Sequence, residues 1–157
     1  MASRSAGIVV YRHRPHGLEF LLVHPGGPYW AKKDAGAWSI PKGEHGEEED
    51  PFQVARRELE EETGLRVEGD PIALQPVRQR GGKTVTAWGF EADWDPAHLR
   101  SNSFSIEWPP RSGKMADFPE VDRAAWVTLE QARVKINPAQ LPLLEELAAK
   151  VSTSSPG

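Results

Sequence analysis

The sequence predicts an α/β fold, and three observations indicate it. Runs of β-branched and aliphatic residues, "AGIVVY" and "LEFLLVHP", are separated by the turn-rich "RHRPHG" and are typical of two paired strands. Residues 50–64 instead have helical periodicity, with Asp50 as N-cap, Pro51 at the first helical position and Gly64 at the end. A second amphipathic helix is predicted by "PAQLPLLEELAAKV". We therefore expect one domain in which a sheet packs against helices.

Further strands are predicted before and after the first helix. The segments concerned are "WSIP", "LRVEGDPIALQPVRQ", "KTVTAWGFEADW" and "RAAWVT", and the resulting sheet is mixed or antiparallel. Residues 96–119 are rich in Pro, Ser and Gly and predict a long connection with a short extended piece near "SFSIEW". Thr128 and Gln131 are spaced as a capping box. One domain is expected over residues 1–150, followed by a disordered tail at residues 151–157.

Composition and charge argue against several classes of protein. The net charge of −4 provides no general attraction to nucleic acid or acidic membranes, so we expect neither as a partner. The absence of cysteine excludes disulfides, thiolate nucleophiles and Cys-type zinc sites, and fits a cytoplasmic location. The first apolar run is too short for a signal peptide or a membrane span. The histidines have no metal-ligand spacing, which argues against a zinc hydrolase.

An acidic cluster lies on the predicted helix of residues 50–64. Glu58, Glu61 and Glu62 are spaced i, i+3 and i+4 and share one face, whereas Glu60 points towards solvent. Like charges at this spacing destabilise an isolated helix by roughly a few tenths of a kcal/mol per pair. Three hard oxygen ligands suit Mg²⁺ or Mn²⁺, which would neutralise the repulsion. The alternative is an ordinary solvated helix face.

The spacing of the whole segment resembles the Nudix box, G-x5-E-x7-R-E-U-x-E-E-x-G-U, where U is a bulky aliphatic residue. Every specified position is matched, by Gly43, Glu49, Arg57, Glu58, Leu59, Glu61, Glu62, Gly64 and Leu65. The strands and loop before the box and "WVTLEQA" after it are similar to the usual Nudix surroundings. The resemblance implies a Nudix α/β/α sandwich, with a mixed β-sheet between helices.

The resemblance also implies a role for each residue of the box. Glu58, Glu61 and Glu62 would bind the metal, Mg²⁺ or Mn²⁺, and Gly43 would offer it a backbone carbonyl. Arg57 would hold a catalytic glutamate through a charge-assisted pair. The implied reaction is metal-assisted attack of water on a pyrophosphate bridge between a nucleoside diphosphate and another group.

The attacking water needs a carboxylate to accept its proton, and family members differ in where that carboxylate lies. Glu61 is the candidate within the box. Glu120 in "FPEVDRAAW" is the downstream candidate, near where many relatives carry a loop glutamate, and Glu107 in "IEWPP" is its rival. Glu49 is either an outer ligand or the partner of an arginine.

Residues outside the box predict how a substrate is held. Cations in loops and at strand ends are candidates for binding a long phosphate chain, and the alternative is that they are ordinary surface charges. They are Lys42 beside the box and Lys32, Lys33, Arg78, Arg80, Lys83 and Arg111. The candidates for stacking on a base are the aromatic residues Tyr29, Trp30, Trp88 and Trp108, and packing within the protein is the alternative for each of them.

The substrate class is predicted by the "PKG" of residues 41–43, which resembles Nudix members that cleave dinucleoside polyphosphates or diphosphoinositol polyphosphates. The tyrosine that often follows the box in diadenosine polyphosphate hydrolases is missing, because Gly81 and Gly82 occupy that region. We expect a small-molecule nucleotide, a dinucleoside polyphosphate such as diadenosine tetraphosphate. The alternatives are a housecleaning nucleoside triphosphate pyrophosphatase, a diphosphoinositol polyphosphate phosphohydrolase and a non-catalytic nucleotide-binding domain.

Overall fold

The computed structural model describes residues 3–154, within which the chain forms nine β-strands and three α-helices. In chain order the strands are β1 (Arg4–Arg14), β2 (Gly17–Pro25), β3 (Lys42–His45), β4 (Ile72–Ala73), β5 (Val77–Arg78), β6 (Thr84–Glu91), β7 (Ser103–Glu107), β8 (Met115–Pro119) and β9 (Val121–Val127). The helices are α1 (Pro51–Thr63), α2 (Leu129–Lys135) and α3 (Leu141–Ser154). Short 3₁₀ turns lie at Arg80–Gly82, Pro96–His98 and Pro138–Gln140.

Strand β1 lies inside a seven-stranded mixed sheet. The order along the main path is β4, β6, β1, β2 and β9, while β3 pairs with β1 and β5 pairs with β6. β1 runs parallel to β6, with Ile8 opposite Trp88, and antiparallel to β2 and β3. A strand that is covered on both faces favours a continuous apolar sequence, which "AGIVVY" supplies.

Helices cover both faces of this sheet. Successive side chains of a strand point to opposite faces, so Ala6, Ile8 and Val10 of β1 pack with Leu59 and other buried residues of α1. Val9, on the opposite face, packs with buried residues of α2 and α3. The two apolar clusters hold an α/β/α sandwich together, which confirms the predicted fold class.

Two segments that were predicted as strands are shorter than expected. "WSIP" forms only isolated bridges, from Trp38 to Ile136 and from Ser39 to Val23, and the strand begins after it, at Lys42. Residues 65–79 contribute only the two-residue strands β4 and β5. Proline has no backbone N–H to donate to a ladder, so the two prolines of this segment limit its pairing.

Residues 96–119 contain more regular structure than their composition predicted. β7 and β8 form an antiparallel hairpin, a separate two-stranded sheet in which Phe104 lies opposite Phe118. Pro109, Pro110 and Gly113 lie in the turn between the strands, where a missing N–H and unusual backbone angles are tolerated. The Pro and Gly residues led to the prediction of a long irregular connection. Several of them lie in the short turn between β7 and β8.

The final helix extends past its predicted end. α3 continues to Ser154, so residues 151–154 of the predicted tail are helical. The remainder of that tail, residues 155–157, lies outside the described residues. Between residues 3 and 154, no helix combines the length and the apolar character that a membrane crossing requires.

Candidate active site

Helix α1 begins and ends where the sequence predicted. The Asp50 carboxylate accepts a hydrogen bond from the N–H of Phe52 at 3.3 Å. Gly64 adopts a left-handed φ of 86°, and its N–H donates to the Glu60 carbonyl at 2.7 Å. Leu59 is fully buried against the sheet. The two hydrogen bonds fix the ends of the helix, and the burial of Leu59 fixes its rotation. The rotation in turn sets the directions of the box glutamates.

Glu58 lies directly against the backbone of β3. A Cβ atom added at Gly43 would come within 2.2 Å of Glu58 Cδ and 2.4 Å of its Oε1. Any side chain at position 43 would therefore displace this carboxylate, and glycine alone permits the close approach. The first residue of the box thus brings the strand backbone and a helix carboxylate side by side.

Glu62 is nearly buried, with 9% of its surface exposed. Its carboxylate lies close to the backbone and the side chain of Lys42. Burial raises the pKa of Glu62 to about 9, and the charge of Glu58 adds to that rise. Burial also raises the pKa of Glu58, with the charge of Glu61 as the next cause. The three box glutamates therefore form one cluster of interacting charges.

Arg57 lies among three carboxylates and is half exposed. Its guanidinium nitrogens are 3.5 Å from Glu49 Oε2, 3.8 Å from Glu58 Oε1 and 3.6 Å from Glu61 Oε1. Glu49 Oε1 also accepts a hydrogen bond from the N–H of Gly46 at 2.8 Å. Glu49 therefore takes the arginine-partner role, one of its two predicted roles. The position of Arg57 fits the predicted orienting function, since it restrains Glu58 and Glu61 together.

The donor set of this cluster fits a divalent cation that prefers oxygen ligands. Three carboxylates and the adjoining backbone of Gly43 are hard donors, and a cation would offset the repulsion that contributes to the raised pKa of Glu62. Among residues 3–154, however, no three acidic or histidine side chains converge into a complete metal centre. Gly43, Glu58, Glu61 and Glu62 therefore stay a predicted ligand set, brought near one another by the fold.

Glu120 reaches the same site from the other end of the sequence. The N–H of Asn102 donates to the Glu61 carbonyl at 2.8 Å, and the N–H of Glu120 donates to the Asn102 carbonyl at 2.8 Å. Burial raises the pKa of Glu120, and the charge of Glu61 adds to the rise. Sequence reasoning missed Asn102, because a residue that acts through its backbone leaves no signal in side-chain type.

Glu107, the rival of Glu120, has a structural role in the β7–β8 hairpin. Its Oε1 accepts a hydrogen bond from the N–H of Arg111 at 2.8 Å, and its Oε2 accepts one from the N–H of Gly113 at 3.2 Å. Both carboxylate oxygens thus hold the turn together. Of the two downstream candidates, only Glu120 is placed beside the box.

Lys42 and Lys83 lie beside the box. Burial lowers the pKa of Lys42, with nearby Lys83 as the second cause, and the charges of Glu62, Glu44 and Glu58 oppose this change. Lys83 Nζ lies 3.3 Å from Glu44 Oε1. Arg80 instead lines a cavity formed with residues that precede α3. Lys42 is therefore a predicted cation whose charge interacts with the box glutamates Glu58 and Glu62.

Tyr29 and Trp30 lie on an exposed loop that joins the Glu120 segment. They are 59% and 40% exposed, the largest aromatic exposures in the described chain. Tyr29 packs edge-to-face on Trp108 with ring centroids 5.4 Å apart, and the N–H of Gly26 in the same loop donates to the Glu120 carbonyl at 2.9 Å. This loop and the hairpin therefore place an aromatic pair near the site.

Trp88, by contrast, is partly buried and packs on Phe52 with ring centroids 5.2 Å apart. Its position under the start of α1 favours packing, the alternative that the sequence left open for each of these aromatic residues. The apolar surroundings of β6 favour this burial over exposure.

His24 is a fully buried polar residue that sequence reasoning did not assign to the site. Its Nε2 donates to the Lys33 carbonyl at 2.6 Å, and its Nδ1 lies 2.8 Å from Asp122 Oδ1. These contacts tie the loop that carries Tyr29 to the strand that follows Glu120. The signal available in the sequence was a histidine in phase with the inward-facing residues of "LEFLLVHP".

Comparison with known proteins agrees with this architecture. The sequence matches the NUDIX domain over residues 1–147, which is most of the chain. The chain therefore belongs to the Nudix family and is a pyrophosphohydrolase by class. A comparison with curated proteins found no match.

Several solved structures share the fold. An Ap4A hydrolase from C. elegans, solved as a binary complex, is 23% identical with a TM-score of 0.66, over 97% of this chain and 99% of that one. The Nudix hydrolase RenU from M. smegmatis is 23% identical with a TM-score of 0.60, over 98% and 87% of the two chains. The NUDIX domain of Shewanella oneidensis NrtR, in complex with ADP ribose, is 14% identical with a TM-score of 0.62, over 99% and 90%. At these identities the likeness shows a common fold.

Proposed function

We propose that this protein hydrolyses a pyrophosphate bond of a dinucleoside polyphosphate, such as diadenosine tetraphosphate, with Mg²⁺ or Mn²⁺ as the metal. The observation that carries the substrate class is the position of Lys42, a partly buried cation beside Glu58 and Glu62. A lysine is a compact point charge, so at this place it can bind phosphates beyond the scissile bond, which a long phosphate chain supplies. The similar C. elegans protein is named as an Ap4A hydrolase, which agrees with this class.

The exposed aromatic pair supports recognition of a base. Tyr29 and Trp108 contact each other edge-to-face near the Glu120 segment, and the outer surface of Tyr29 is open. Stacking of a base on an aromatic ring contributes about 1–3 kcal/mol and tolerates any base. The pair would therefore hold one nucleoside while the polyphosphate lies across the box.

The residues of the chain divide the chemistry among them. Glu58, Glu61 and Glu62 would hold the divalent metal, which supplies neutralisation of phosphate oxygens and a lowered pKa for water near the scissile phosphorus. A carboxylate, Glu61 or Glu120, accepts the proton of the attacking water. Arg57 holds the carboxylates of Glu58 and Glu61 in position. Lys42 binds the phosphate chain as negative charge develops on the leaving group.

Replacing Glu120 with glutamine is expected to lower kcat by about 10²- to 10⁴-fold if Glu120 is the general base. Glu107→Gln is the matched control for kcat, because both carboxylate oxygens of Glu107 hold a hairpin turn. Steady-state kinetics of both variants show whether Glu120 or Glu61 is the general base. Full activity of Glu120→Gln would leave Glu61 as the base, and a collapse confined to Glu107→Gln would contradict the assignment of both.

Replacing Gly43 with alanine is expected to lower kcat/KM by about 10- to 100-fold, because the new methyl group must displace the Glu58 carboxylate. Gly46→Ala is the control, since a Cβ there meets only Glu49 Oε1, at an ordinary 3.7 Å. Kinetics and Tm are measured for both variants. Unchanged turnover in Gly43→Ala would show that the placement of Glu58 against β3 is not needed.

A small substrate panel tests the proposed function directly. Purified protein is incubated with diadenosine polyphosphates, nucleoside triphosphates, ADP-ribose and diphosphoinositol phosphates, with Mg²⁺ or Mn²⁺, and the products are identified. We expect the highest kcat/KM on diadenosine tetraphosphate. Faster cleavage of nucleoside triphosphates would favour the housecleaning pyrophosphatase, and no cleavage of any compound would favour the nucleotide-binding alternative.

A further inference from the structure

Gln140 is a fully buried amide whose orientation is set by the backbone. Its Oε1 accepts a hydrogen bond from the N–H of Ile40 at 2.9 Å, and a backbone N–H can only donate. The Gln140 amide nitrogen therefore faces the other way, and it donates to Ser39 Oγ at 3.0 Å and to Gln79 Oε1 at 2.9 Å. This network fixes the side-chain carbonyl of Gln79 inward, so its NH₂ group is directed away from Gln140.

Asn137 has the same arrangement one turn before α3. Its Oδ1 accepts a hydrogen bond from the N–H of Ala139 at 3.0 Å, which again assigns the oxygen without ambiguity. Each of these amide oxygens thus accepts a hydrogen bond from a protein donor. Within residues 3–154, the NH₂ groups of Asn137 and Gln79 donate to no protein acceptor.

These two amides line a cavity of about 600 Å³ together with two arginines. The lining residues are Gly36, Arg78, Gln79, Arg80, Asn137, Pro138 and Ala139. In the described part of the chain, Arg78 and Arg80 form no ion pair, whereas many other arginines, such as Arg12 and Arg133, contact a carboxylate. Every polar side chain of this lining therefore presents hydrogen-bond donors, and the lining contains no acidic residue.

We propose that this donor-lined cavity is a binding subsite for a phosphate group. Guanidinium groups and amide N–H donors match phosphate oxygens, which only accept, and hydrogen bonds between ionised groups are the stronger kind. The buried Gln140 holds Gln79 in a fixed orientation, so the donor is arranged before the ligand arrives. The lining contains none of the box glutamates, and the assignment does not depend on which substrate the box hydrolyses.

The phosphate has two possible sources, and the same hydrogen-bond donors would bind it in both cases. It is either the distal end of a polyphosphate substrate or part of a separate phosphorylated small molecule. Arg80, which was predicted from the sequence to bind substrate, contributes to this subsite in both cases.

Gln79→Glu is the sharpest test, because it keeps an oxygen for the Gln140 donor and replaces the free NH₂ with a negatively charged oxygen. Inorganic tripolyphosphate is titrated into the metal-free protein by isothermal titration calorimetry, with Tm recorded for each variant. We expect binding by the wild type and affinity losses of at least about 10-fold in Gln79→Glu and in Arg78→Gln/Arg80→Gln. The control Arg66→Gln/Arg133→Gln removes the same charge from two exposed ion pairs and should bind normally.

Kinetics with Mg²⁺ then distinguish the two sources. A raised KM of Gln79→Glu for diadenosine tetraphosphate, with an unchanged KM for ADP-ribose, would identify the distal end of the substrate. Unchanged KM for both would identify a separate phosphorylated molecule. The proposal is overturned if the wild type does not bind tripolyphosphate, or if Gln79→Glu and the control double variant bind it equally well. Calorimetry gives this answer even if no panel compound is hydrolysed.

Discussion

Replacing Glu61 with glutamine is expected to lower kcat by about 10³-fold or more, equivalent to about 4 kcal/mol of activation free energy, with the fold retained. Glu61 is a predicted metal ligand and a candidate base. Its Oε1 lies 3.6 Å from Arg57 Nε. Burial raises the pKa of Glu120, and the charge of Glu61 raises it further. Glutamine keeps the size of the side chain but removes its charge. Single-turnover and steady-state kinetics, with Tm as the check on folding, measure the effect.

Glu60→Gln is the matched control for this variant. Glu60 lies on the solvent side of the same helical turn, where its Oε1 accepts a hydrogen bond from Arg66 Nε at 2.9 Å. An exposed ion pair of this kind contributes at most about 1 kcal/mol to stability. Activity near the wild-type value in Glu61→Gln would refute the catalytic assignment, and a collapse in Glu60→Gln would show that the assumed helix face is wrong.

Replacing Lys42 with alanine is expected to reduce kcat/KM for diadenosine tetraphosphate by about 10- to 100-fold, or roughly 1.4–2.7 kcal/mol. Lys42 is held beside Glu58 and Glu62 at the start of the box, where its charge can reach a phosphate beyond the scissile bond. ADP-ribose, with its shorter phosphate bridge, should lose less. Steady-state kinetics on the two substrates provide the comparison.

Two measurements accompany the Lys42 variant. Tm must stay close to the wild-type value, because Lys42 is partly buried and its loss could disturb β3. Lys83→Ala removes a neighbouring charge that is already paired with Glu44, and it should affect both substrates less. Equal losses on diadenosine tetraphosphate and ADP-ribose in Lys42→Ala would remove the main support for the dinucleoside polyphosphate proposal.

The box and its helix were predictable from the sequence because their determinants are local. Asp50 and Gly64 cap α1 through bonds to residues within four positions, and Leu59 marks its buried face. Helical spacing then requires Glu58, Glu61 and Glu62 to be neighbours. The mixed sheet was also predictable, since alternation and apolar runs record which faces are buried. The structure confirms the helix and the mixed sheet, but the strands predicted at "WSIP" and at residues 65–79 are shorter than expected.

The partners that come from distant segments could not be predicted. Glu120 reaches Glu61 through the backbone of Asn102, and nothing in the sequence specifies that pairing. Glu107 looked equivalent to Glu120 until the hairpin showed its oxygens bound to turn N–H groups. Residue types alone cannot separate two carboxylates whose difference is their place in space.

The sequence by itself determined the family, the box and the cluster of three glutamates, because short-range spacing on a helix fixes which side chains are neighbours. Only the tertiary structure decided that Glu120 joins this cluster, that Trp88 packs under α1, and that Arg80 lines a separate cavity. The physical reason is the same in each case. Contacts between remote segments depend on how strands pair and helices pack. This pairing and packing depend on the whole hydrophobic core rather than on any one stretch of residues.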